Sequence, residues 1–128
     1  MALASVVTGC ATSGQALQER KPLNVFVSPG TIKQTALTIS EMSGYCSRNL
    51  YDMEYNEYPA LKKITIDYKG KNRGDQHNYY RRIDIDETGI NQSKVTIYNS
   101  MDIELNRIAA SQIEKWVNSN SRECVWGF

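Results

Sequence analysis

Three alternating stretches in the middle of the chain constrain its fold more than any other feature. Ile64, Ile66 and Tyr68 alternate with Thr65, Asp67 and Lys69; Tyr79, Arg81, Ile83 and Ile85 with Tyr80, Arg82, Asp84 and Asp86; Val95 and Ile97 with Lys94, Thr96 and Tyr98. A two-residue period sends successive side chains to opposite faces of a strand. Each stretch therefore predicts a strand with one apolar and one polar face. The links between them are short and polar and carry Gly70, Gly74 and Gly89. Parallel neighbours need longer crossovers, so the economical topology is an antiparallel meander.

Leu23, Asn24, Val25, Phe26 and Val27 read as a first strand, and Ser28 with Pro29 as the cap and first position of a helix. Ile32, Ala36, Ile39 and either Met42 or Ser43 fall on one face of that helix, and Gly44 stands where it should stop. Tyr51, Met53 and Tyr55 alternate with Asp52 and Glu54, which suggests an extended segment ending before Pro59. After the meander, Asn99 or Ser100 can cap a last helix whose positive end suits Asp102 and Glu104. Leu105, Ile108, Ala109, Ile113, Trp116 and Val117 form its apolar stripe. The expected fold is α+β: an antiparallel β-meander with one long C-terminal amphipathic helix and a shorter N-terminal helix packed on the sheet. Residues 23–128 form one such domain, with no internal repeat.

Near the start, Val7-Thr8-Gly9-Cys10 resembles the lipobox of bacterial lipoproteins, in which a branched apolar residue, a small residue and Gly or Ala precede the cysteine that receives a diacylglycerol. The resemblance implies that residues 1–9 are a partial or truncated signal peptide and that Cys10 is lipidated. Residues 10–22, small and polar, then read as a flexible tether. Enterobacterial lipoproteins kept in the inner membrane carry Asp just after this cysteine. Ala11 stands there instead, which implies an outer-membrane, periplasm-facing location. In outline most of the chain resembles small lipoproteins of Gram-negative bacteria.

With Cys10 assigned to lipid by that resemblance, Cys46 and Cys124 remain as a disulfide pair. Residues 121–128 would then return toward Cys46 as a short final strand. A bond closing most of the domain into one loop is worth about 4.5 kcal/mol on the chain-entropy model. If the lipobox match is accidental, the alternative is a small cytosolic binding domain with two buried free thiols.

The 128 residues carry 15 basic and 14 acidic side chains, a net charge of +1. So even a balance sets up no broad field to recruit nucleic acid or anionic lipid, and neither is an expected partner. No apolar run approaches the ~20 residues of a spanning helix, so membrane attachment is expected through the lipid on Cys10.

Candidate chemistry is sparse. Tyr51, Tyr55, Arg73, His77, Tyr79 and Arg81 form a possible binding surface, since tyrosine and arginine bury large areas while keeping polar tips. The plainer reading is tyrosines covering a small core beside a solvated strand face, with Asp75, Asp84 and Asp86 offsetting the charge. His77 is the only histidine, so no Ser/His/Asp or Cys/His arrangement can be assembled. An acid pair such as Glu54 and Glu57 would need a desolvated member to do acid-base work. Residues 84–89 partly resemble a calcium loop, but its twelfth position is Val95 rather than a bidentate Glu. No catalytic residue, metal site or cofactor is therefore expected. The expected function is that of an outer-membrane lipoprotein whose small periplasmic domain is a binding or structural envelope module with an envelope-protein partner. The alternative is a periplasmic inhibitor of an enzyme such as lysozyme, with residues 69–78 as the plugging loop.

Overall fold

The computed structural model describes residues 14–48, 51–70 and 79–125. Five strands, β1 (Asn24–Ser28), β2 (Tyr51–Tyr58), β3 (Lys63–Gly70), β4 (Tyr79–Gly89) and β5 (Gln92–Asn99), form one sheet. Their order is β1-β5-β4-β3-β2, and every neighbouring pair is antiparallel. The tyrosine-bearing segment thus extends the expected meander by one strand, paired with β3 from Tyr51↔Gly70 to Tyr58↔Lys63. β4 and β5 meet in a tight turn closed by the Gly89↔Gln92 pair, and Asn91 takes the left-handed conformation the turn needs at φ 53°.

Register turns alternation into a core. Ile66↔Ile83↔Ile97 and Ile64↔Ile85↔Val95↔Phe26 run across the sheet as two apolar rows on one face. The helices α2 (Ile32–Ser47) and α3 (Glu104–Asn118) cover this face with Ala36, Ile39 and Met42 from one and Ala109, Ala110, Ile113 and Trp116 from the other. The α+β class and the meander are as the sequence predicts. The helix lengths are not: α2 has 16 residues and α3 has 15, so the N-terminal helix is the longer.

The boundaries explain the difference. Ser28 ends β1 rather than capping a helix, and its Oγ shares a hydrogen bond with Thr35 Oγ1 at 2.8 Å. The cap of α2 is Thr31, whose Oγ1 accepts from Gln34 N at 3.1 Å while Gln34 Oε1 accepts from Thr31 N at 3.0 Å. Gly44 is carried inside the helix, which ends where Arg48 turns left-handed at φ 53°.

α3 begins later than expected. Asn99 and Ser100 do not cap it; Ile103 stands at the cap position and offers no side-chain bond. Two members of the expected stripe, Leu105 and Ile108, remain 49% and 42% exposed. At about 100° per residue the buried arc centres between Ala109 and Ile113, which puts Ile108 on its flank, while Leu105 lies in the first turn.

The expected tether differs from Gly14 onward. Gly14–Gln18 is a short helix, α1, on the opposite face of the sheet from α2 and α3, with Leu17 fully buried. Leu23 N then donates to Ile97 O at 2.8 Å and leads into β1. At the other end residues 119–125 form no strand. Trp116 Nε1 and Gln112 Nε2 both donate to Glu123 O, at 2.8 and 3.1 Å, and anchor the tail. Cys124 is thereby held at disulfide distance from Cys46, Cα–Cα 5.4 Å.

Candidate functional site

The polar members of the alternating strands meet on the face opposite the core. Register aligns Glu54, Asp67, Arg82 and Tyr98 in one row and Asn56, Thr65, Asp84 and Thr96 in the next. Arg82 Nε lies 3.0 Å from Asp84 Oδ1 and 3.8 Å from Asp67 Oδ1. Lys63 Nζ adds contacts of 3.5 Å to Asp84 and 3.8 Å to Asp86. Gln18 Nε2, from α1, donates to Asp84 Oδ2 at 2.8 Å, so that helix closes over part of the network.

The two central carboxylates differ. Asp84 is satisfied by Arg82 and Gln18. Asp67 is only 5% exposed, its Oδ1 accepts no hydrogen bond, and Thr65 Oγ1 beside it is likewise unmatched. Burial pushes the Asp67 carboxyl up to about 6; Arg82 pulls it down, and Glu54 and Asp84 push it further up. At one end of the face, Glu54 accepts from Lys69 Nζ at 3.2 Å and from Tyr79 OH at 3.1 Å. Burial and the bond to Glu54 raise the Tyr79 phenol.

The sheet separates the tyrosines and arginines expected to form one surface. Alternation with Ile83 and Ile85 puts Arg81 on the helix-bearing side, and a register shift at Tyr68/Lys69 brings Tyr80 there beside it. Arg81 is fully buried there, its guanidinium carbon 5.2 Å from the Tyr68 ring centre and 5.4 Å from that of Tyr80, while its Nε donates to Asn99 Oδ1 at 3.3 Å. Tyr51 packs on Tyr80 at 4.6 Å. Tyr51 and Arg81 therefore belong to an internal stack, a correction to their expected place at a surface. Tyr79 lies on the outer face. Tyr55 lines a groove of about 460 Å³ beside α2 with Lys33, Leu37, Ser40 and Glu57. Cys10, Arg73 and His77 lie outside the described residues, as does most of the 69–78 stretch.

Sequence reasoning missed the ionic network itself. Its signal was present in Asp67, Arg82 and Asp84 on the polar faces of neighbouring strands, but which acid meets which base depends on register. Among the described residues no three His, Cys, Asp or Glu side chains stand close enough to hold a metal, and no helix is long and apolar enough to cross a membrane. Glu54, one of the two acids considered for acid-base work, is occupied by Lys69 and Tyr79, and Glu57 by Lys33 at 3.7 Å.

Fold and faces together define a small α+β domain with a cysteine pair joining a helix end to the tail and an ion-paired outer sheet face. No protein-family model matches the chain, and no curated protein matches it.

Proposed function

We propose that the chain is an outer-membrane lipoprotein, anchored by lipid on Cys10, whose periplasmic domain is a noncatalytic binding or structural module for another envelope protein. The observation that carries this reading is the Cys46 and Cys124 pair at disulfide distance. Disulfides persist in oxidising compartments such as the periplasm and are rare in the cytosol. The lipobox-like Val7-Thr8-Gly9-Cys10 supplies the anchor. The outer sheet face supplies a rigid array of fixed charges, which confers partner selectivity more readily than raw affinity.

The test is intact mass and membrane fractionation of protein expressed from its native upstream region, with Cys10→Ala in parallel. A lipid-sized mass addition, membrane association lost in the variant, and a Cys46–Cys124 bond in the non-reduced protein are the expected results. An unmodified protein with free thiols would overturn the reading.

A further inference from the structure

A cleft of about 460 Å³ opens where the link from α1 to β1 passes the end of β5 and the start of α3. Its polar lining among the described residues is Arg20, Lys21, Asn99, Ser100, Asp102 and Arg107, three cations against one carboxylate. Nothing in the envelope reading uses it.

Three observations converge on this cleft. Arg20 is half-buried and donates through Nη1 to Ser100 O, so a cationic group is fixed in the wall. Asn99 is 4% exposed and lines the cleft, and with its Oδ1 accepting from Arg81 Nε it forms a fixed part of the wall. The start of α3, between the lining residues Asp102 and Arg107, has no side-chain cap. Three cations and an uncapped helix start thus border one cleft, a lining that favours an acceptor-bearing anion. Arg107 and Asp102 pair at 2.8 Å but are 56% and 65% exposed, a surface contact weak enough for a ligand to displace.

We infer that this cleft binds a small organic anion through a phosphate group, with Arg107 and Lys21 as movable cations and Arg20 as the fixed one. Arginine matches phosphate oxygens in a planar fork, and the volume falls in the usual range for small-molecule sites. Asp102 competes with the ligand for Arg107, and Glu104 in the first turn of α3 adds to that opposition. The site is therefore tuned by removal of an acid as much as by removal of a base. The inference does not rest on the lipid anchor.

The experiment is a ¹⁵N–¹H shift titration of the full chain with glycerol 3-phosphate, with sodium chloride at matched ionic strength as control. Saturable shifts centred on Lys21, Ser100, Arg107 and the Asn99 side chain are expected. Arg107→Gln should weaken binding by about tenfold, as loss of a charge-assisted pair does. Asp102→Asn should tighten it several-fold, and Lys62→Gln, a cation paired with Glu87 elsewhere, should leave it unchanged. Shifts that do not saturate, that chloride reproduces, or that neither Arg107→Gln nor Asp102→Asn alters would overturn the proposal. Parallel arms with inorganic phosphate and with phosphatidylglycerol vesicles against phosphatidylcholine vesicles distinguish a free phosphate from a lipid headgroup, and binding in either arm at the same residues supports the site.

Discussion

At the residue scale the most consequential side chain is Asp67. Its folded pKa, about 6, lies above the ~3.9 of an unfolded aspartate, the reverse of a carboxylate stabilised by its ion pair. The folded state therefore holds its proton more tightly than the unfolded one. The stability this contributes is complete below about pH 4 and is lost as pH rises through 6. Above that range a charged, incompletely hydrogen-bonded carboxylate remains buried beside Arg82. Asp67→Asn should accordingly raise stability at pH 7.5 by about 1–2 kcal/mol, with the shift shrinking toward pH 4. Urea denaturation at the two pH values checks this, and a variant less stable at pH 7.5 would show that the Arg82 contact outweighs desolvation. Asp67 was legible in the sequence as a polar-face residue. Its burial was not, because side chains of the neighbouring strands, Glu54 and Arg82 among them, create it. Arg81 shows the same limit, since a register shift moved Tyr80 beside it on the core side and gave its guanidinium two aromatic walls.

At the scale of elements, α3 tests how far a hydrophobic stripe can be trusted. Periodicity identified the helix, yet it marked Leu105 and Ile108 as core alongside Ile113 and Trp116, and only the latter two are buried. A helical stripe gives a face but not the angle at which the helix sits, and small Ala109 and Ala110 at the contact set that angle. Ile108→Lys should therefore change stability by no more than about 0.5 kcal/mol, whereas Ile113→Ala should cost about 2–5 kcal/mol. Thermal melts of the two variants decide it, and a large loss at Ile108 would place that side chain in the core. The start of α2 offers the converse lesson. The motif Thr31-x-x-Gln34 was present in the sequence as a capping box, but Ser28-Pro29 offered a rival start three residues earlier, and pairing of Ser28 with Ser93 in the sheet settled the competition.

For the whole molecule, the Cys46–Cys124 pair closes a sequence separation of 78 residues and ties the end of α2 to the tail that follows α3. The two helices lie on the same sheet face, so the cross-link restrains both layers of the core. Reduction, or a double Cys46→Ser and Cys124→Ser change, should lower stability by about 2–4 kcal/mol and bring the melting temperature down. Superimposable melts with and without reductant would remove the bond from any structural role. Since the same bond carries the envelope proposal, this measurement belongs beside the mass analysis of Cys10.

The sequence by itself determined the strands, their alternation, the antiparallel order of the meander, the two covering helices and the α+β class. These depend on local periodicity and short links, which are properties of neighbouring residues. Only the tertiary structure decided the attachment of β1 beside β5, the burial of Leu17 against a face that otherwise reads as polar, and the division of the tyrosines between two sides of the sheet. It also decided which acids and bases pair and where three cations come to line one cleft. Such features arise from register and from contacts between residues far apart in the chain, and a one-residue slip in register would exchange the two faces of a strand.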